Sequence, residues 1–393
     1  MWKQVLAVTV LNVRSVPQRL GSSAVTVAGI AGVVVVFVGV LSMAEGFLRV
    51  MTTGGDLRTA IVLRAGASSE TGSMLDMDTV RLIKDAPGIG RRDGQPRASA
   101  EFVVVVRHAQ AGTGKAMNVI LRGVEPAAFD VRGEVRIAEG RSFQPGHYEV
   151  ILGRGVARRL GNMTTGQSVR WGGSTWNVVG VFDANGGSVE SEVWCDIDML
   201  QQAFRRHNAF QAVYATLESP ESLDVLRTSL EADPRFEVDV RRESEYYAEQ
   251  SRALTGLITT AGAFIAFLMA AGAIFGAVST TYAAVISRTR EIATLRALGF
   301  GSTAVACSVL AEAAVLALAG GAVGAVMAWM LFDGLAVSTL NFQSMSQVAF
   351  AFSVTPQLVT RGMAYAVAMG LVGAMWPSWR AARLTIVDGL REE

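Results

Sequence analysis

Long stretches without a charged residue constrain this 393-residue chain more than any other feature. A helix needs about 20 apolar residues to cross the ~30 Å hydrocarbon core of a membrane. Four segments meet that requirement, and we predict transmembrane helices at 21–46, 253–286, 303–332 and 357–379. The first segment could instead be a cleaved signal peptide. However, its apolar region exceeds the usual length of roughly 7–15 residues, and a further segment of 19 residues precedes it.

The composition agrees with a membrane protein that also has a soluble part. Hydrophobic residues make up 51% of the chain and charged residues 18%, whereas soluble domains carry about 25% charge. The net charge of +1 offers no general attraction to polyanions, so nucleic acid is not an expected partner. Cys195 and Cys307 are too few for a disulfide framework.

The distribution of basic residues orients the predicted spans in the membrane. Lysine and arginine flank the first span on its N-terminal side and occur in the segments 287–302 and 380–393, whereas the segment 333–356 contains neither. We therefore predict that both termini and the connector 287–302 are cytoplasmic. Residues 47–252 then form a large extracytoplasmic domain, and residues 333–356 form a short extracytoplasmic loop.

The second span is longer than a bilayer requires. No charge interrupts the 35 residues between Arg252 and Arg288, which as a helix would reach ~50 Å at 1.5 Å per residue. We predict that this helix extends outward as a stalk of the external domain. A tilted helix with an irregular first turn at 253–260 is the alternative.

The external segment contains two similar strand–helix–strand layouts. The predicted strands are 59–64, 98–107, 212–217 and 236–240, and the predicted helices are 76–86 and 221–231. Two such units predict one α+β subdomain. The glycine-rich, β-rich sequence at about 111–210, with a hairpin signal at Gly172–Gly173, predicts a second, inserted subdomain. The predicted fold class is a membrane protein with four transmembrane helices and a large extracytoplasmic α+β domain of two subdomains.

Catalytic chemistry has little support in the sequence. The three histidines share no metal-ligand spacing, and no Gly-x-Ser-x-Gly element is present. Gly112–Lys115 resembles a phosphate loop only superficially, because Ala109 and Ala116 stand where a glycine and a hydroxyl residue are required. We therefore expect that the chain is not an enzyme and binds no metal or cofactor itself.

The connector between the second and third spans has the most specific pattern in the chain. Apolar residues predict one face of a short helix, and charged residues predict its polar side: Ile292, Leu295 and Leu298 against Arg290, Glu291 and Arg296. Gly299 is placed to end the helix. Such a helix suits docking into a groove on a cytoplasmic partner. A helix that lies on the lipid surface is the alternative.

Residues 288–299 (RTREIATLRALG) resemble the connector of the FtsX-like family of ABC transporter permeases, which reads R-x-R-E-I-x-x-L-R-A-L-G. The start of the chain, the block 140–182 and the tail 376–383 are also similar to family members of MacB-type architecture. The resemblance covers nearly the whole chain. It identifies 1–20 as a cytoplasmic amphipathic helix, 47–252 as a MacB-like core domain, 287–302 as a coupling helix and 380–393 as a cytoplasmic tail.

The resemblance implies a permease subunit in the cytoplasmic (inner) membrane, in contact with its lipids. A second permease copy, identical or paralogous, would pair with it, and its connector would sit in a groove of an ABC ATPase that carries ATP and Mg²⁺. Because only 20 residues precede the first span, we expect that ATPase on a separate protein. The residues that the resemblance assigns to ATPase coupling are Arg288, Arg290, Glu291, Ile292, Leu295, Arg296, Leu298 and Gly299.

In such permeases, ATP hydrolysis moves the external domains, a mechanism called mechanotransmission. Export of a drug, a peptide or a lipid-like substrate, with or without a periplasmic adaptor, is the function that the resemblance implies. Lipoprotein release is a second option within the family. A non-transporting scaffold that activates an envelope partner, such as a cell-wall hydrolase, is the alternative of a different class.

Two features inside the predicted spans are further candidates. Gly272 and Gly276 are four residues apart, as are Gly320 and Gly324, a spacing that permits close helix packing within the chain or in a permease dimer. Glycine and alanine are common in these spans, so chance is the alternative. Glu312 lies inside the third span, where an ionisable side chain is costly. A part in a conformational switch and a structural hydrogen bond are the competing interpretations.

Overall fold

The computed structural model describes residues 20–53, 56–109, 116–161, 163–233, 237–341 and 346–383. The predicted amphipathic helix up to residue 19, the phosphate-loop-like segment 112–115 and the tail beyond residue 383 lie outside the described residues. The chain divides into two compact units. The unit that we call the membrane unit contains the chain up to Glu45, Leu257–Leu335 and the chain from Phe352 onward; the external unit contains Gly46–Gly256 and Ala336–Ala351.

Ten α-helices are described. They are α1 (Leu20–Thr52), α2 (Met77–Asp85), α3 (Ala128–Val131), α4 (Arg154–Arg159), α5 (Ile197–Ala203), α6 (Ser222–Glu231), α7 (Glu243–Ser287), α8 (Thr289–Ala297), α9 (Ser302–Phe332) and α10 (Pro356–Arg383). Two 3₁₀ turns lie at Glu70–Gly72 and Ser188–Ser191.

Fourteen strands are described. They are β1 (Thr59–Arg64), β2 (Arg91–Arg92), β3 (Gln95–Pro96), β4 (Ala98–Ala109), β5 (Ala116–Val124), β6 (Arg136–Gly140), β7 (Glu149–Gly153), β8 (Ser168–Trp171), β9 (Ser174–Asp183), β10 (Glu192–Asp196), β11 (Ala212–Thr216), β12 (Val238–Arg242), β13 (Ala336–Asn341) and β14 (Ser346–Ala351).

Four of the described helices, α1, α7, α9 and α10, are long and apolar enough to cross a membrane. They overlap the four spans predicted from the sequence. Helix α7 begins at Glu243, ten residues before the predicted start at 253. Its 45 residues would measure roughly 67 Å, about twice the hydrocarbon thickness. The charged first turns, residues 243–252, therefore precede the apolar span, and they belong to the external unit.

The membrane unit has a core of small and β-branched side chains. Its buried residues come from all four long helices: Ile30, Val33, Val34, Val38, Ala270, Ala317, Ala328, Ala366 and Met369. Larger apolar side chains such as Phe267, Phe275 and Trp329 remain exposed on the outside of the unit. This distribution is typical of helices that pack through small residues and present bulky apolar residues to lipid.

The external unit is built on one ten-stranded sheet. Nine strands follow the order β12-β1-β11-β4-β5-β10-β7-β9-β6, and β8 pairs with β9. Strand β4 connects the two predicted subdomains, because residues Ala98–Glu101 pair with β11 and the following residues pair with β5. The region predicted as an inserted subdomain at about 111–210 thus continues the same sheet.

The two faces of the sheet bury separate sets of side chains. In β10, Val193 and Cys195 belong to the larger core, together with residues of α2 and α6, and Trp194 belongs to a smaller core on the opposite face. Successive side chains of a strand point to opposite faces, so this division follows from the strand geometry.

Two hairpins bear on the predictions. Gly172 and Gly173 join β8 to β9, as predicted, with φ of 60° and 81°, which is the positive φ that a two-residue hairpin loop requires. The segment predicted as a short loop at 333–356 contains the antiparallel strands β13 and β14. In the external unit, Val348 and Phe350 are buried, and the Ala349 amide donates a hydrogen bond to the Ser191 hydroxyl (3.1 Å).

Candidate functional site

Helix α8 occupies the connector and is bounded by residues with non-helical backbone. Arg288 separates it from α7 with φ of −112° and ψ of 11°. At the other end Gly299 has φ of 91°, and its amide donates to the Arg296 carbonyl at 3.0 Å. Such a left-handed glycine is typical of a residue that ends a helix. The connector is therefore a short, separate helix between α7 and α9.

The three apolar residues predicted for one docking face lie in different surroundings. Ile292 is 7% exposed and packs in a cluster with Val285, Val305 and Ala381 of the membrane unit. Leu295 is half-buried, whereas Leu298 is 73% exposed. The reason is geometric, because α8 is only nine residues long and Leu298 follows its last residue.

The charged residues of the connector divide in the same way. Arg290 and Glu291 are exposed, and Arg296 is half-buried. Arg288 turns inward, and its side chain is 11% exposed. The surface that α8 leaves accessible thus consists of polar residues with Leu298 beside them, and Ile292 holds the helix to the membrane unit.

An ion pair connects the start of the connector to α9. The Arg288 guanidinium donates to the Glu312 carboxylate with Nη1–Oε2 at 3.1 Å, and the Glu312 side chain is 14% exposed. Arg288 also donates through Nε to Glu291 at 3.1 Å. An ionisable residue in a membrane span is expected to face the protein interior and to pair, and Glu312 does both.

The same ion pair lies in an open cleft between α1, α7, α8 and α9. Residues that line it include Ser23, Thr26, Thr280, Glu291, Leu295 and Glu312. The hydroxyls of Thr26 and Thr280 are 2.8 Å apart, so α1 and α7 are joined by a hydrogen bond close to the connector. The predicted coupling residues Arg288, Glu291, Ile292 and Leu295 all contribute to this cleft.

The two glycine pairs have different surroundings. A Cβ on Gly320 would lie 2.9 Å from the Val27 carbonyl oxygen, and one on Gly324 would lie 2.7 Å from the Ala31 carbonyl oxygen. These two glycines therefore permit close packing of α9 on α1 within the chain. A Cβ on Gly272 or Gly276 would meet no described atom within 4 Å.

A second polar site, which we did not predict, lies inside the external unit. Six charged side chains are buried there on six different parts of the chain. They are Glu70 of a 3₁₀ turn, Glu101 of β4, Arg122 of β5, Arg132 after α3, Glu192 of β10 and Glu243 of α7. We call these six residues the buried charge cluster.

Arg122 is the centre of the buried charge cluster. Its guanidinium forms bidentate pairs with Glu192, at 2.7 and 2.8 Å, and with Glu70, at 2.6 and 3.0 Å. Nη1 also donates to Glu101 Oε2 at 2.7 Å. Burial alone raises the pKa of a carboxyl, but the Arg122 guanidinium outweighs it and holds the pKa of Glu70 below its usual value.

The first turns of α7 are attached to this cluster. The Tyr246 hydroxyl accepts a hydrogen bond from the Glu70 amide (3.0 Å). The hydroxyls of Tyr247 and Tyr214 are 3.2 Å apart, and the Tyr214 hydroxyl donates to Glu70 (2.9 Å). The helix that continues into the second span therefore begins among fully buried polar groups.

A signal for the buried charge cluster is present in the sequence. Glu101 and Arg122 each stand alone as the charged residue among apolar residues of a strand, in ASAEFVVVV and NVILRGV. Glutamate and arginine are almost never fully buried unless they are paired. A lone charge in such a strand therefore predicts a buried partner of opposite sign, although the sequence does not say which one.

No group of three or more histidine, cysteine, aspartate or glutamate residues in the described part of the chain is arranged to hold a metal ion. A model of the MacB-like periplasmic core domain matches residues 23–233, and a model of the FtsX-like permease C-terminal region matches residues 263–386.

Two curated proteins are similar over 93% of this chain. One is the pyoverdine export ATP-binding/permease protein PvdT of Pseudomonas entomophila, 24% identical over 390 residues. The other is the macrolide export ATP-binding/permease protein MacB of Nitrosomonas europaea, 25% identical over 395 residues. This chain spans 56% of the length of each. The solved extracellular domain of the ABC-type transporter YknZ from Gram-positive bacteria matches 47% of this chain and 99% of its own, at 18% identity and a TM-score of 0.36.

Proposed function

Because this chain belongs to the FtsX-like permease family and carries its MacB-like periplasmic core domain, we propose that it transmits the motion of an ABC ATPase to its external unit. In this proposal, α8 is the coupling helix on the cytoplasmic side of the cell's inner membrane. The external unit lies on the opposite side. ATP and Mg²⁺ are bound by the ATPase, and a second permease copy completes the assembly.

The observation that carries this proposal is the attachment of α8 to two long helices. Ile292 is buried among residues that include Val285 of α7 and Val305 of α9, and Arg288 pairs with Glu312 of α9. A displacement of α8 by a bound partner would therefore act on both helices. Helix α7 carries the displacement along the chain, since its first turns belong to the external unit.

The exposed residues of the connector define the docking surface that we propose. Leu298 is the most exposed apolar side chain there, and Arg290 and Glu291 are exposed beside it. A leucine that enters a groove of a partner contributes about 1.5–3 kcal/mol. Ile292 has a different role in this proposal, because it holds α8 against the chain's own helices, and Leu295 lines the cleft beside it.

The cargo that we propose is a small organic molecule that is exported. The support is the pair of relatives whose names refer to pyoverdine export and macrolide export. Each of them is also named as an ATP-binding protein, which supports an ATPase as the driving component. A periplasmic adaptor would fit the external unit of an exporter.

The test is an affinity purification of the full chain from its native membrane in a mild detergent. We expect an ABC ATPase in the purified complex and vanadate-sensitive ATP hydrolysis. A chain purified without any ATPase, under conditions that preserve other ABC transporters, would contradict the proposal and favour a scaffold that works without ATP.

Matched leucine variants locate the docking surface. Leu298→Asp should lower the recovery of the ATPase about tenfold or more, because it places a charge in the apolar contact. Leu335→Asp is the control, since Leu335 is also exposed but lies beyond the opposite end of α9. Equal recovery with both variants would place the ATPase contact elsewhere.

A further inference from the structure

The buried charge cluster contains more carboxylates than guanidiniums. Four glutamates face two arginines, and each of the six residues is at most 8% exposed. If all six were ionised, the cluster would carry two uncompensated negative charges inside the external unit. Burial of an unpaired charge is costly, and a buried carboxyl responds by binding a proton.

The hydrogen bonds show which carboxylates are compensated. Both oxygens of Glu70 and both oxygens of Glu192 accept from Arg122. By contrast, Glu101 Oε1 and Glu243 Oε2 are buried and accept no hydrogen bond from a described residue. Glu101 and Glu243 are therefore the two carboxylates of the cluster that keep a buried oxygen without a donor among the described residues.

Arg132 does not fully compensate either of them. Its Nη2 donates to Glu101 Oε2 at 3.2 Å, an oxygen that also accepts from Arg122. Its Nη1 is 3.5 Å from Glu243 Oε1, and neither Nη1 nor Nε donates a hydrogen bond to any described residue. Glu243 thus has a nearby charge but no hydrogen bond from the residues described around it, and it is the first residue of α7.

We propose that Glu243 is a proton-binding site that controls the attachment of α7 to the external unit. With the proton bound, the neutral carboxyl stays buried beside Arg132 and the first turn of α7 is held in place. Loss of the proton leaves an uncompensated charge, which favours an opened state in which the first turn separates and Glu243 reaches water. Glu243 and its partners all belong to the external unit, so the proton-binding site does not depend on an ATP-driven partner.

The electrostatic surroundings support this assignment. Burial raises the pKa of Glu243 to about 7, against the opposing charge of Arg132 and together with the like charge of Glu134. The position in the first turn of α7 favours the ionised form, so the helix itself opposes this rise. The groups whose charges act on Glu243 include Arg132, Glu134, Glu101 and Glu70. Arg122 and Glu192 belong to the same cluster, and Tyr214, Tyr246 and Tyr247 are joined to it by hydrogen bonds.

The sign of the pH effect follows from this raised pKa. In the opened state the Glu243 carboxyl has its ordinary pKa of 4.5. The attached state therefore binds the proton more tightly than the opened state does. The stabilisation of the attached state is complete below pH 4.5 and is lost as the pH rises to about 7. The equilibrium constant for opening should therefore be about tenfold larger at pH 8 than at pH 6.

The experiment is hydrogen–deuterium exchange of the full-length protein in detergent, without ATP, at pH 6 and pH 8. The peptide of interest covers residues 243–252, and its rates are corrected for the intrinsic pH dependence of amide exchange. Glu243→Gln replaces the carboxyl by a neutral side chain of the same shape. Glu245→Gln is the matched control, because Glu245 lies two positions further along the same helix turn with its side chain 62% exposed.

The expected result is about a tenfold loss of protection between pH 6 and pH 8 in the wild type and in Glu245→Gln, and no change in Glu243→Gln. A wild type with equal corrected protection at both pH values would overturn the proposal, and this measurement needs no variant that folds. Persistence of the pH dependence in Glu243→Gln would overturn the assignment to this residue and transfer it to Glu101.

Discussion

Removal of Arg122 should destabilise the external unit more than any other single charge deletion that we consider. The guanidinium makes five hydrogen bonds of 2.6–3.0 Å to three buried carboxylates. In Arg122→Met the aliphatic volume is largely kept, while the carboxylates stay buried without their counter-ion. Loss of one partner from a buried ion pair costs about 3–5 kcal/mol, and we expect the free energy of unfolding to fall by that amount at pH 8.

The matched control is Arg141→Met in the same unit. Arg141 also forms a bidentate pair, with Glu149 at 2.6 and 2.7 Å, but its side chain is 50% exposed. Water and salt screen an exposed pair, so its removal should leave the unfolding midpoint nearly unchanged. Similar hydrogen-bond distances at a buried and an exposed position separate the effect of burial from that of geometry.

The assay is denaturant unfolding of the full-length protein in detergent, followed by tryptophan fluorescence. Trp194 is a local reporter, because its indole N–H donates to Glu192 at 3.0 Å. In Arg122→Met, acidification from pH 8 to pH 5 should recover part of the lost stability, since burial without Arg122 raises the pKa of Glu70. A midpoint at pH 8 equal to that of the wild type would refute the reasoning, and a deficit independent of pH would indicate a packing defect instead.

Two further predictions concern the membrane unit. Glu312→Gln keeps the shape of the side chain but removes the charge that faces Arg288. We expect an intact complex with the ATPase and a severalfold lower vanadate-sensitive ATPase activity. Unchanged activity would show that the ion pair is only structural. Gly324→Val should lower the free energy of unfolding in detergent by about 1–3 kcal/mol or more, because the valine Cβ would lie 2.7 Å from the Ala31 carbonyl oxygen. Gly272→Val should leave the stability of the single chain close to that of the wild type, since that position is open; equal losses in both variants, measured by heating followed by size-exclusion chromatography, would contradict the packing of α9 on α1.

The elements that the sequence predicts correctly are those with a strong local pattern. Uncharged runs predict α1, α7, α9 and α10 because a bilayer demands length and apolarity together. Short apolar runs predict strands such as 59–64 and 98–107, and Gly172–Gly173 predicts the hairpin between β8 and β9 because only residues that tolerate positive φ fit there.

The elements that the sequence does not predict depend on partners far along the chain. The first turns of α7 are rich in charged and polar residues, which alone indicate a linker, yet Tyr246 is fixed by the amide of Glu70, 176 residues away. The polar residues in the hairpin of β13 and β14 favour a loop over strands. Its contact with Ser191 is also remote in sequence, 158 residues away. Long-range contacts of this kind leave no periodic signal in the segment itself.

The connector is an intermediate case. Its helix follows from the amphipathic pattern and from Gly299, but the pattern does not say which surface the apolar residues contact. Ile292 is buried among the chain's own helices and Leu298 is exposed. An apolar stripe on a helix indicates that another surface covers it. Here the chain's own helices cover Ile292, and Leu298 is left accessible to a partner.

The strands through which the chain enters and leaves the external unit are neighbours in its sheet. Strand β1, which follows α1, is antiparallel to β12, which precedes α7, so Ala60 at the start of one lies opposite Arg242 at the end of the other. Paired strands are about 5 Å apart, and most of the external unit is therefore a closed excursion between two adjacent points. An insertion or exchange between these two strands leaves the sequence of the membrane helices unaltered, so recombination at this pair of strands would let one set of spans acquire a different external domain.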